Sequence, residues 1–307
     1  MQLSLLNRFQ GGLLGAWIGA SLNKENNQLS HLDQQLLAWI KLAMSLTKLL
    51  IDSGQITQEN WLEILAQQKL SEPLFFQVPI SSAIIALSTL PLALFFHDSP
   101  SQFKEYLYSL KGIGQQSQET LEEVIIWQDA LRLILREKLK LSPLIDQLCL
   151  RHQITQTPLG QQLEQLQTFL KAKIPLQQAA SQLYRSGKHH PHEIALACYC
   201  FSYTAQEFSL CVKAAKQLDY QPSLTAALTG ILAGVYNGIS GIPIAWRLQL
   251  ENDPIPQEMY QQAIDLWAVW SGVDQPCTLQ TLESAAIASP LIIQARPAVK
   301  MISQTHL

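Results

Sequence analysis

Charge is what this chain has least of. Asp, Glu, Lys and Arg make up 15% of its 307 residues, against about a quarter in an ordinary soluble domain. The 24 acids are dispersed, with Glu122–Glu123 the one adjacent pair and no Asp-x-Asp anywhere. Two divalent cations held close together need several carboxylates to offset their repulsion, so no ready-made dinuclear site is visible. A basic excess is missing too. The net charge of −3 excludes the electrostatic footprint of a nucleic-acid binder. No Gly-x-Ser-x-Gly elbow, His-Glu-x-x-His helix or Walker run occurs, which removes the serine-hydrolase, zincin and P-loop readings. Cysteine is sparse, odd in number and scattered: Cys149, Cys198, Cys200, Cys211 and Cys277 read as reduced core thiols rather than a disulfide framework. The first twenty residues lack the basic start of a secretory signal. A cytoplasmic location is the expectation.

Amides, hydroxyls and apolar residues fill the space that charge leaves. Hydrophobic residues reach 48%, and Gln-Gln pairs recur at Gln34, Gln67, Gln115, Gln161, Gln177 and Gln261. Long segments repeat apolar residues at three- and four-residue steps. Leu36, Leu37, Ile40, Met44 and Thr47 form one such face, and Leu121, Val124, Ile125, Leu131, Ile134 and Leu135 another. Breakers such as 52–54, 112–114, 185–192 and 240–243 separate these runs at helix-length intervals. The pattern predicts one all-α domain over 1–307 with more than ten helices, 248–307 being a helical extension. Residues 74–96 and 221–246 carry no charge. Their prolines, glycines and hydroxyls favour buried helices of a water-soluble bundle over membrane spans. A surface so poor in charge suits a partner protein or a homo-oligomer contact.

Two rows of small residues share a four-residue step: Gly11, Gly15 and Gly19, and later Ala226, Gly230, Gly234 and Gly238. That step keeps them on one helix stripe, although each glycine costs about 0.8–1 kcal/mol in a helix interior. Close crossing of two helices would offset the cost.

The residues 8–22 (RFQGGLLGAWIGASL), 42–46, 86–96 (ALSTLPLALFF) and 225–246 (TAALTGILAGVYNGISGIPIAW) occur in an order and at spacings that resemble the ADP-ribosylglycohydrolase family. The resemblance spans residues 8–247. It implies an all-α fold and hydrolysis of the bond joining ADP-ribose to a modified side chain, with two magnesium ions held by acidic motifs. One family motif, Thr-Asp-Asp-Thr, falls on Asp33, Gln34, Gln35 and Leu36. The other, Gly-Gly-Asp-Thr-Asp-Thr, falls on Asp219, Tyr220, Gln221, Pro222, Ser223 and Leu224. Glutamines thus stand for both aspartates of the first motif, and Gln221 and Ser223 for those of the second. A shift of one or two positions could bring Asp33 onto a ligand position, but no register supplies two adjacent acids.

The expectation is a family member without its metals and without dinuclear catalysis. Its former cleft would be lined by Asp33, Gln34, Gln35, Tyr220, Gln221 and Ser223, with Tyr236 and Asn237 further along. That cleft would bind a nucleotide-like ligand or a partner protein. Pro222 suits a helix's first turn, and Gln221 or Ser223 could cap it. The alternative is a working hydrolase of ADP-ribosyl or related N- or O-glycosidic bonds, using a single or non-standard metal with Asp33 and Asp219 as catalytic acids. Asp129 and Glu193 are weaker acid candidates. Glu122–Glu123 reads as the solvated face of an amphipathic helix, and His189, His190 and His192 as a basic surface loop.

Overall fold

The computed structural model describes residues 4–23, 25, 28, 34–67, 80–110, 116–137, 143–152, 157–186 and 193–272. Among them the chain forms fifteen α-helices and no strand, the all-α class expected. They are α1 (Leu5–Ser21), α2 (Gln34–Ser53), α3 (Gln58–Gln67), α4 (Ser82–Ser88), α5 (Leu90–Phe95), α6 (Pro100–Ser109), α7 (Gln118–Leu135) and α8 (Leu144–His152). There follow α9 (Pro158–Lys171), α10 (Leu176–Ser186), α11 (Glu193–Thr204), α12 (Phe208–Lys216), α13 (Pro222–Asn237), α14 (Ile244–Leu250) and α15 (Pro254–Ser271). Local chemistry marks their starts. Ser4, Ser81, Ser117 and Thr157 accept the amides of Asn7, Ile84, Thr120 and Gly160, and proline opens α6, α9, α13 and α15.

Three helices are buried on every side over most of their length: α1 from Leu6, α11 over Glu193–Phe201 and α13 over Leu224–Val235. All-round burial explains why the uncharged segments resemble membrane spans in composition. Among the described residues no helix is long and apolar enough to cross a membrane; the uncharged run before residue 96 is broken at Thr89 into α4 and α5. The remaining helices wrap these three, and one apolar core runs from Leu6 to Trp270. Trp267 and Trp270 both belong to it, Trp270 lying 5.0 Å from the His97 ring and 6.2 Å from Phe9.

The two rows of small residues face one another. Gly11 abuts the Gly234 carbonyl, Gly15 that of Gly230 and Gly19 that of Ala226, so α1 and α13 run antiparallel with their backbones touching. A Cβ at Gly15 would overlap the Gly230 carbonyl, and one at Gly230 would overlap that of Gly15. The expected helix crossing is therefore the centre of the molecule.

Each end of this pair is closed by a buried cation. Arg8, in the first turn of α1, donates to the carbonyls of Val235 (3.2 Å) and Ile134 (3.4 Å) and pairs with Glu137 at 2.8 Å. Those carbonyls lie in the last turns of α13 and α7, where a positive charge is favoured. At the other end the Lys216 ammonium donates to the carbonyl of Ala20 at 3.2 Å, in the last turn of α1.

The acid pair on α7 departs from expectation. Glu122 is partly exposed, but Glu123 is buried and accepts from Ser82 Oγ at 2.5 Å. It therefore does not belong to a solvated face. Burial, opposed by that hydrogen bond, pushes its carboxyl from the ordinary 4.5 up to about 7.

Two outcomes follow from this packing. Gly15→Ala and Gly230→Ala should each lower stability in urea titrations by about 2–4 kcal/mol or prevent folding. An unmoved midpoint would show that α1 and α13 can separate at little cost. Glu123 keeps its proton to about pH 7 when folded but only to about 4.5 when unfolded. Between those values the folded chain binds the extra proton, so this group's contribution falls as pH rises and is level above the window. Glu123→Gln should thus raise the unfolding midpoint at pH 8 by an amount on the order of 1–3 kcal/mol, and leave it nearly unchanged at pH 4.5.

Candidate functional site at the start of α13

The turn 219–223 leads the chain from α12 into α13. Pro222 holds the first helical position, as its fixed φ favours. Gln221 precedes it in the left-handed region at φ 45° and ψ 45°. Side chains other than glycine adopt that conformation at a cost of about 1–2 kcal/mol, and a following proline disfavours it further. Here the structure corrects the sequence reading. Neither Gln221 nor Ser223 caps the helix, and among the described residues no side-chain cap bonds its first amides. The Ser223 hydroxyl is instead held by Lys216, whose Nζ donates to its Oγ at 2.7 Å.

Lys216 is the principal residue that sequence reasoning missed. It ends α12, its side chain is buried, and it joins α1 to the first turn of α13 through Ala20 and Ser223. Burial draws its ammonium from 10.5 down to about 8, which leaves it charged at neutral pH. Its one sequence signal is a lysine in the last turn of α12, and helix ends carry such cations for reasons of dipole alone.

The turn is flanked by tyrosines. Tyr220, 54% exposed, meets Tyr184 of α10 edge to face with ring centres 6.0 Å apart. Burial, assisted by the carboxylates of Glu193 and Asp219, pushes the Tyr184 phenol up to about 12. The end of α10 thus lies beside this turn, with Glu193 of α11 close enough to act on the Tyr184 phenol. The segment between them, with His189, His190 and His192, lies outside the described residues. Asp219, Tyr220 and Gln221 are exposed and Ser223 is half-buried.

Two of the other predicted cleft residues lie elsewhere. Tyr236 and Asn237 sit at the far end of α13, about 20 Å from Ser223 at 1.5 Å per residue, and cannot share a small site with it. Tyr236 packs edge to face on Phe201, with 5.5 Å between ring centres. Asn237 donates to the carbonyls of Ala205 (2.8 Å) and Ala233 (3.0 Å); both have structural tasks. Gln34 and Gln35 open α2, with Gln35 exposed; Asp33 and the side chain of Gln34 lie outside the described residues. Asp129 is held by Arg132 Nε at 2.8 Å and His152 Nε2 at 2.9 Å, joining α7 to α8. Glu193 is buried at the start of α11.

Among the described residues no three His, Cys, Asp or Glu side chains are grouped to hold a metal ion. Cys198, Cys200 and Cys211 are buried free thiols, as expected of core residues; desolvation pushes Cys198 up to about 12. Cys277 lies outside the described residues.

The fold is an all-α bundle organised around two glycine-paired helices. The sequence profile of the ADP-ribosylglycohydrolase family matches residues 20–276, and the chain belongs to that family. The match reaches through α14 and α15, further along the chain than the motifs read from the sequence. A solved structure described as an ADP-ribosylglycohydrolase-related protein complex aligns with a TM-score of 0.61. It covers 86% of this chain and 98% of its own at 16% identity, a likeness that carries the fold alone. No curated protein matches the chain in sequence.

Gln221→Gly should relieve the left-handed backbone and raise the melting temperature by the equivalent of about 0.5–1 kcal/mol. A fall would reveal a stabilising contact made by the glutamine side chain.

Proposed function

We propose that this family member has given up dinuclear magnesium hydrolysis and works by binding at the α13 entrance. One observation carries the reading: an ammonium lies 2.7 Å from Ser223 Oγ, the oxygen standing at a position where the family motif places a metal-binding aspartate. Magnesium sits about 2.1 Å from its oxygen ligands. An ion on that oxygen would lie within about 5 Å of Lys216 Nζ, where the repulsion is about 7 kcal/mol at an effective dielectric of about 20. Gln221 and Ser223 contribute no charge against it, and Asp219 is the single acid in the turn. That donor set does not fit two magnesium ions.

Of the two occupants considered, a nucleotide-like ligand is favoured over a protein partner. The exposed ring of Tyr220, braced by Tyr184, is a surface on which a base can stack. The uncapped first turn of α13 presents amides of the kind that receive phosphate oxygens.

The expected outcome is that ADP-ribose raises the melting temperature equally with and without Mg²⁺. Over the same concentrations no ADP-ribose is released from modified protein. Turnover that a chelator abolishes would overturn the proposal.

A further inference from the structure

We propose that the tethered ammonium of Lys216 is the resident cation at the start of α13. The inference rests on the preceding reading that the metal-binding carboxylates have left this turn. It adds that the positive charge has not left with them but has passed to the chain itself.

Three helix ends converge on this group. Lys216 projects from the last turn of α12, its Nζ 3.2 Å from the Ala20 carbonyl of α1 and 2.7 Å from Ser223 Oγ in the first turn of α13. The residue is only 8% exposed. Helix capping accounts for the contact with Ala20, because the last carbonyls of a helix attract a cation. It does not account for the contact with Ser223, since the positive end of α13 repels the same charge. A buried ammonium is tolerated where oxygens surround it, and both described partners here are neutral oxygens. Position 223 is thereby a seat for negative charge. A carboxylate placed there would meet an ammonium already in position, and would favour the positive helix end as well. Without the ammonium, the same carboxylate would be half-buried and would lose that counter-charge.

A double-mutant cycle on the full chain tests this. Ser223→Asp is introduced beside Lys216 and, separately, together with Lys216→Met, which keeps much of the length and removes the charge. With lysine present, Ser223→Asp should leave the melting temperature unchanged or raise it. With methionine, it should cost at least ~5 °C more. Equal costs in the two backgrounds would overturn the proposal. Should Lys216→Met/Ser223→Asp fail to fold, Lys216→Met/Ser223→Asn decides. Folding of that neutral pair supports a role for charge, while its failure shows that position 223 rejects size and overturns the proposal. Mn²⁺ is the probe that separates this inference from the one beneath it. Stabilisation of the natural chain by Mn²⁺ would sink the metal-free reading whatever the cycle shows, whereas absent coupling with no Mn²⁺ effect would sink the resident cation alone.

Discussion

Backbone contact between α1 and α13 is the constraint from which the rest of this structure follows. Two helices touch main chain to main chain only where the facing stripe carries nothing larger than a methyl group, and Gly11, Gly15, Gly19, Ala226, Gly230 and Gly234 clear that space. Neighbouring helices cover the pair on its remaining sides, which is why both helices are largely apolar there as well. Once α1 and α13 are fixed, α11, α12 and α15 are the layers that cover them. The entrance to α13 is then a fixed point, because the helix behind it cannot slide.

The same pairing explains where the few buried charges lie. Antiparallel helices place the negative end of each beside the positive end of its partner, and the last carbonyls of both need donors. Arg8 serves α13 and Lys216 serves α1. Arg8 has Glu137 as a counter-charge. Lys216 reaches a hydroxyl instead, and that difference makes its end of the pair the chemically interesting one. There the chain brings a hydroxyl and an ammonium together.

Much of the fold was legible because it depends on period and size. Helical spacing found the buried faces of α2 and α7, and the four-residue glycine step found the crossing of α1 and α13. The site was legible only in part. Pro222 announced the start of a helix, but its uncapped first turn and the left-handed Gln221 depend on how the preceding turn is held. Tyr236 and Asn237 looked adjacent to the cleft because they follow it closely in sequence. Helix rise carries them to the opposite end of α13. Glu123 looked solvated because it has an acidic neighbour, yet burial is decided by which way the helix turns its face and by Ser82 from another helix.

Read alone, the chain's residues settled the helical class, the close pairing of two glycine-rich helices and the single acid, Asp219, in the turn before α13. Each of these is a property of residue type and local spacing. Packing alone brings Lys216 to Ser223, Arg8 to the last turn of α13 and Tyr184 to Tyr220. Those contacts join different elements of the chain. Their reach depends on the distance and angle between packed helices, which no local pattern encodes.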